Sequence, residues 1–322
     1  MSTPGVIRII EPGMLTTVQD LGRSGHGAIG VARGGAADAL CLRLGNRLVG
    51  NADAAAALEM TLTGGVFEFT HETVAVVTGG MVHATVEDRQ AARPIVRLSP
   101  TAIPGGARLR IGPVQTGARA YLCVAGGIDV PPILGSRSTH LGGGFGGLSG
   151  RPLRAGDEIR VGSSDRAVAD AVIAARARAL CDELLSRRAL RAVDGMHAST
   201  FRTADVERFW GAEFVVSLQS DRTGVRLDGQ IGTSTHEGRM PSEGMMHGAV
   251  QIPESGMPIV LMADHPTTGG YPVIACVSAV DLCVLGQLRP RDAIRFKRVT
   301  VAEARAHYAE QERRLDAEVP PR

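Results

Sequence analysis

The sequence predicts a mainly β protein in two halves, each an antiparallel barrel or sandwich, with a few peripheral helices. Three observations lead there. Short apolar runs recur at intervals of about ten residues, separated by Gly, Pro or polar turns; that cadence belongs to antiparallel sheets rather than to βαβ units. Helical periodicity is confined to three stretches. Finally, Leu153-Arg154-Ala155-Gly156-Asp157-Glu158-Ile159-Arg160 and Leu288-Arg289-Pro290-Arg291-Asp292-Ala293-Ile294-Arg295 agree at five of eight positions, and each would close one half.

The elements follow in order. Residues 6–10 form a first strand. Residues 38–49 form a helix, with Leu40, Leu44 and Leu48 on one face and Arg43 and Arg47 away from it. Asp38 is placed to cap its start, and Gly50-Asn51 to stop it. Strands are expected at 65–69, 74–78, 95–98, 108–111 and 120–124. A helix over 165–188, with Ile173, Ala177, Leu180 and Leu184 at helical spacing, joins the halves. Strand-like runs resume from 213–218 through 293–296, and 301–317 is a terminal amphipathic helix. The expected division is a β-rich half over 1–164, a helical connector over 165–190, and a second β-rich half with the terminal helix over 191–322.

Composition narrows the function. The chain is 44% hydrophobic with a formal net charge of +2, as expected of a globular protein, and no run approaches the roughly 18 apolar residues of a membrane span. No basic-then-apolar leader opens the sequence. Cys41, Cys123, Cys181, Cys276 and Cys283 are scattered without a CxxC pair, which argues against a zinc site and suits reduced, cytoplasmic thiols. Lys297 is the only lysine. A P-loop needs a Gly-Lys-Ser/Thr step, a Schiff-base enzyme a buried lysine, and a biotin carrier a lysine between methionines; Lys297 fits none of them. Charge is not clustered and aromatics are only 3%, so nucleic-acid binding has little support.

The most informative segment is Asp264-His265-Pro266-Thr267-Thr268-Gly269-Gly270-Tyr271-Pro272, between strand-like runs 259–263 and 273–277. Its prolines and glycines suggest a rigid, sharply turned loop with backbone N–H groups facing a ligand; a decorated turn is the plainer alternative. Asp20 and Arg23 either hold each other or bind a charged substrate. Ser220-Asp221-Arg222-Thr223-Gly224 again joins carboxylate, guanidinium and glycine. Asp38 lies near Asn46, Asn51, Glu59 and Thr61. The glycine-rich stretch 126–150, with Asp129, Arg137, Ser138, Thr139 and His140, is either a substrate-covering or partner-contacting loop or a solvent loop. Ser242-Glu243-Gly244 leads into His247. Of nine histidines, His26, His140, His236, His247 and His265 lie near glycine or hydroxyl groups, weak evidence for any one of them. Neither a Gly-x-Ser-x-Gly elbow nor an HExxH motif is present.

Taken together, these clusters resemble one family. Thr16 to Arg23, Leu48-Val49-Gly50-Asn51, Leu58-Glu59-Met60-Thr61-Leu62, Val124-Ala125-Gly126-Gly127-Ile128-Asp129-Val130-Pro131, Leu134-Gly135-Ser136-Arg137-Ser138-Thr139, Ser220-Asp221-Arg222, Ser242-Glu243-Gly244 and Thr267 to Pro272 fit it in order over about residues 5–300. The chain is similar to the biotin-dependent carboxyltransferase / allophanate hydrolase subunit 2 family, whose stand-alone members include C-type 5-oxoprolinase subunits. The helix at 165–188 looks like extra length between the halves.

The resemblance implies a cyclophilin-like β-barrel architecture and a heteromeric complex with a subunit-1 protein, the B-type partner of 5-oxoprolinase. An A-type protein would complete ATP-dependent cleavage of 5-oxoproline to glutamate. It also admits carboxyl transfer with a biotin carrier in trans, or a regulatory module that antagonises a kinase inhibitor. No biotin-carrier segment is present, and no metal is implied. Phosphorylating the lactam oxygen would make a better electrophile, whose developing charge cationic and N–H donors would stabilise. On this reading Asp20, Asp221 and Asp264 move protons or orient arginines. Arg23, Arg222, Thr267, Thr268, Gly269, Gly270, Tyr271, Asn51 and Glu59 bind the substrate or its anion, and the three acid–base–glycine clusters wall one cleft.

Overall fold

A computed structural model describes residues 5–164, 167–234 and 240–321. They form two compact units: residues up to Arg23 with Gly34–Leu185 and 314 onward, and Ser24–Arg33 with Ser186–Arg313.

The first unit is built on a ten-stranded sheet. Its strands are β1 (Gly5–Glu11), β2 (Leu15–Gln19), β3 (Ala57–Thr61), β4 (Val66–Phe69), β5 (Thr73–Glu87), β6 (Ala92–Ile95), β7 (Thr101–Ile103), β8 (Arg108–Val124), β9 (Ile128–Asp129) and β10 (Glu158–Val161). The main path runs β2-β3-β8-β4-β1-β10-β9, and β5 pairs with β6, β7 and β8. The sequence suggested two strands at 108–111 and 120–124. One long strand runs through Gly112, Pro113 and Gly117 instead. The turn-forming residues are absorbed by register shifts against β5 at Gly79/Met81, Met81/Val82 and Val82/Ala84. These bulges let one end of β8 pair with β4 and the other with β3. Gly79 takes φ +91, and a Cβ there would lie 2.3 Å from the Arg119 carbonyl oxygen, so the bulge requires glycine. Ile7, Ile9, Leu58, Phe67, Phe69, Val77, Val86, Leu109 and Leu122 fill the core.

The expected strand at 95–98 ends at Ile95. Arg97 turns inward, donating to the Gly79 carbonyl and pairing with Asp182, while Leu98 is buried at φ +56. Helix α1 (Ala39–Leu48) forms as expected: Asp38 accepts from Cys41 N–H at 2.9 Å. At its end Gly50 N–H bonds the Arg47 carbonyl and Asn51 N–H the Asn46 carbonyl, with Gly50 at φ +75. That is the Schellman arrangement. Helix α2 (Ala171–Leu185) buries Ala174, Ala177, Leu180, Cys181 and Leu184. The sequence suggested a connector, but the helix belongs to the first unit, where Cys181 Sγ lies 3.4 Å from Cys41 Sγ of α1.

The second unit is a closed barrel. Its strands are β11 (Ala189–Asp194), β12 (Glu213–Val216), β13 (Gly224–Asp228), β15 (Ala249–Gln251), β16 (Ile259–Leu261), β18 (Val273–Val277) and β19 (Ala293–Arg298), while β14 (Glu243–Gly244) and β17 (Thr268–Gly269) form a separate ribbon. The order is β11-β18-β15-β16-β13-β12-β19, and parallel pairing of β19 with β11 closes it. Phe214 and Phe296 meet Phe209 of α3 (Thr203–Gly211) with ring centroids 5.7 and 4.8 Å away. Neither α3 nor α4 (Leu282–Gln287) was expected from sequence. The first is short, with only Asp205 and Phe209 buried, and the second is a six-residue apolar run, indistinguishable from a strand by pattern. Helix α5 (Val301–Glu318) closes the chain.

The internal echo is structural. Asp157 accepts from Arg154 N–H at 2.8 Å and Asp292 from Arg289 N–H at 2.9 Å. Gly156 N–H reaches the Ile9 carbonyl, and Arg291 N–H the Val216 carbonyl. Each turn leads directly into a strand, β10 or β19.

Candidate functional site

The predicted residues fall into two separate settings. Asp20, Arg23, Asn51 and Glu59 belong to the first unit; Asp221, Arg222, Asp264 and the Thr267–Tyr271 loop belong to the second.

Asp20 follows β2 and is buried. Its carboxylate accepts from Ser136 Oγ (2.6 Å), Ser138 Oγ, Gly22 N–H (2.8 Å) and Arg137 N–H (2.6 Å). It clamps the glycine-rich stretch against β2. Arg23 donates to the Ser138 carbonyl and lies 5.0 Å over the Phe145 ring, which stacks in turn on His140. Glu59 Oε2 accepts from Ala37 N–H at 2.9 Å and from the Tyr121 hydroxyl at 2.8 Å. Burial, then the charge of Glu59, pushes the Tyr121 phenol well above its ordinary range. Asn51 donates to Asn46 and to the Val124 carbonyl and accepts from Gly126 N–H. These side chains join α1 to the sheet.

In the second unit the loop between β16 and β18 holds a buried ion pair. Arg222 Nε and Nη2 donate to Asp264 Oδ2 and Oδ1 at 2.8 and 3.0 Å, a two-bond fork. Both side chains are under a tenth exposed, at 6% and 8%. Backbone holds them in register: Asp264 N–H donates to the Arg222 carbonyl and Met262 N–H to the Thr223 carbonyl. Asp221, the neighbour expected to share in this, does not orient Arg222. It is exposed, and its Oδ1 closes its own turn on Thr223 and Gly224 N–H.

Beyond the pair, His265 packs inward and Thr268–Gly269 enters the ribbon with Glu243–Gly244. The loop is therefore not an open turn, because part of its backbone lies in a ladder. A Cβ at Gly269 would sit 2.7 Å from Gln251 Nε2, so a side chain there would push the end of Gln251 aside. Glu243 lies 3.4 Å from His197 Nε2, and His197 Nδ1 accepts from Val273 N–H. That leaves Nε2 as the protonated nitrogen, facing Glu243. Tyr271 is half exposed and borders two cavities of about 1260 and 350 Å³. Thr233, Ser234, Ser242, Glu254 and Gly270 also line the larger.

His247, which the sequence offered only as one of several histidines near glycine, was not among the candidate site residues. Its ring lies 6.5 Å from that of His265, and its Nε2 is shielded from solvent without a hydrogen-bond partner among the described residues. Burial first, then the charges of His265, Arg33 and Arg222, lower its titration to about 3. The available signal was the nearby Ser242-Glu243-Gly244 cluster, but one histidine beside a glycine says little alone. His236 lies outside the described residues.

A family model described as carboxyltransferase domain, subdomain A and B, matches residues 29–298. A C-type 5-oxoprolinase subunit from Escherichia coli (strain K12) is 41% identical over 308 residues, covering 96% of each chain. A second protein of that type, from Haemophilus influenzae, is 34% identical over 299 residues and 93% of each. The crystal structure of the Kluyveromyces lactis urea carboxylase superposes with a TM-score of 0.87 at 32% identity, over 99% of this chain and 29% of that one. No helix among the described residues is long and apolar enough to cross a membrane.

Proposed function

The chain belongs to the carboxyltransferase-domain family, and from that premise we propose that it is one component of a cytoplasmic, ATP-dependent 5-oxoprolinase. It would open 5-oxo-L-proline to L-glutamate with a subunit-1 (B-type) protein and an A-type protein. The observation that carries this reading is the 96% mutual coverage with a C-type 5-oxoprolinase subunit. The correspondence spans both chains nearly end to end, whereas it reaches only 29% of the urea carboxylase chain.

The lactam is resonance-stabilised, and ATP would supply the phosphoryl group that activates its oxygen. The chain's one lysine, Lys297, is exposed on β19, and no Gly-Lys-Ser/Thr step exists, so no residue here is assigned to the nucleotide. Arg222, fixed by Asp264, is a pre-aimed cation beside the Thr267–Gly270 loop, suited to the negative charge that develops as the ring opens. Asp264 orients that guanidinium. Asp20, Asn51 and Glu59 brace the first unit.

Co-expression with subunit-1 and A-type partners, followed by an assay of ATP-dependent glutamate release from 5-oxoproline, tests the reading. Silence from a well-folded complex refutes it. Within an active complex, Asp264→Ala is expected to abolish turnover while the partners still co-purify, and near-wild-type activity would remove Asp264 and Arg222 from the site. A second reading, carboxyl transfer with a biotin carrier in trans, draws on the urea carboxylase superposition. Carboxylation of urea by the chain with an added carboxybiotin carrier would favour it.

A further inference from the structure

The polar groups around the Arg222–Asp264 pair do not balance. Asp264 is engaged by Arg222 through two hydrogen bonds. Arg33, in the segment that belongs to the second unit, is exposed and makes no hydrogen bond or ion pair among the described residues. His265 Nδ1 lies 2.8 Å from the Pro266 carbonyl oxygen; a carbonyl only accepts, so Nδ1 carries the proton. His247, 6.5 Å away by ring centroid, has a shielded Nε2 with no partner among the described residues. An orphaned polar atom of this kind costs about 1–3 kcal/mol and calls for an explanation.

We propose that His247, His265 and Arg33 form a carboxylate-binding subsite beside the Arg222–Asp264 pair, with His247 Nε2–H donating to a carboxylate oxygen of the ligand. One planar anion answers each imbalance. It accepts from the orphaned Nε2, and it offsets the positive potential of Arg33 and Arg222. It also sets a negative charge beside an imidazole that burial, and then the neighbouring cations, keep neutral, so the imidazole takes a proton from solvent as the ligand binds. The charged and titratable groups bearing on His247 are His265, Arg33 and Arg222, with Asp264 behind the last. The subsite depends on the reading above only for the identity of the natural carboxylate, which would be that of 5-oxoproline.

The experiment is an NMR titration of the imidazole nitrogens of the full chain near neutral pH. The probes are 5-oxoproline, glutarate, and 2-pyrrolidinone, the same lactam without a carboxylate. Both carboxylates are expected to move the His247 nitrogens toward imidazolium values, and 2-pyrrolidinone to leave them in place. Calorimetry in buffers of different ionisation enthalpy should find proton uptake with either carboxylate. His247→Gln and the exposed Arg33→Ala should each weaken carboxylate binding by about tenfold, the scale of one charge-assisted hydrogen bond. If glutarate moves His247 while 5-oxoproline and the assembled complex are silent, the subsite stands and the oxoprolinase reading falls. If neither carboxylate moves His247, or 2-pyrrolidinone moves it equally, the subsite is overturned even where the complex releases glutamate.

Discussion

Asp221 and Asp264, two carboxylates in glycine-bearing loops, were equivalent as sequence, yet their surroundings make them different residues. Asp264 shares a buried fork with Arg222, whereas Asp221 is exposed and holds a turn. Replacing one member of a buried pair strands the other charge, at about 3–5 kcal/mol, while a turn-closing carboxylate contributes about 1 kcal/mol. Urea denaturation should therefore find Asp264→Asn several-fold more destabilising than Asp221→Asn, and equal losses would contradict the buried pair. His247 makes the second prediction at this scale. Its imidazole titrates near 6.5 when unfolded and at about 3 when folded, so between those values the unfolded chain holds the extra proton. Stability should fall as pH falls from 6.5 toward 3, by at most about 1.4 kcal/mol per pH unit from this group. His247→Gln should flatten that slope in denaturation midpoints measured across the window. An unchanged slope would mean the imidazole is not held neutral.

Among elements, the repeated turn shows what a sequence reveals and what it hides. The shared Leu, Arg, Asp, Ile and Arg mark one device used twice: a carboxylate closing the turn, a buried Leu before it and a buried Ile in the strand after it. Of the three positions that differ, Gly156 against Arg291 is left-handed in both, at φ +89 and +75. Only glycine adopts that region without penalty. Gly156→Ala should thus cost about 1 kcal/mol, and Arg291→Gly should be neutral or stabilising by up to about 1 kcal/mol; thermal unfolding of the two variants checks the opposite signs. Helix α1 was legible because Asp38, the leucine stripe and Gly50 each have a local physical role. The single strand β8 was not, because Gly112, Pro113 and Gly117 signal turns locally and only the pairing with β5 reveals bulges. The site divides the same way. Arg222 and Asp264 stood out by type, but their pairing across 42 residues and the silent Nε2 of His247 are properties of the folded chain.

At the scale of the whole molecule, the chain's end is built into the unit where the chain begins. Residues from Arg314 onward belong to the first unit, and Leu315 and Val319 have no exposed surface. Arg47, buried on α1, donates to the carbonyls of both, at 3.3 and 2.8 Å, and bonds Asp53 and Asp316. A cation thereby satisfies the Val319 carbonyl and shares that of Leu315 with Val319 N–H, as a helix C-terminus prefers. The segment from Arg314 thus belongs to the first unit, tied to α1 through Arg47. Burying two such side chains stabilises by about 1.5–3 kcal/mol each, and their removal also uncovers the apolar surface beneath. A chain ending at Arg313 is therefore expected to lose at least about 3 kcal/mol in the first unit, with the barrel of the second unit spared. Hydrogen exchange resolved by segment tests this. Amides of α1 and its neighbouring strands should exchange faster while those of β13, β16 and β18 keep their protection, and uniform loss or no loss would show that the tail does not serve the first unit in this way.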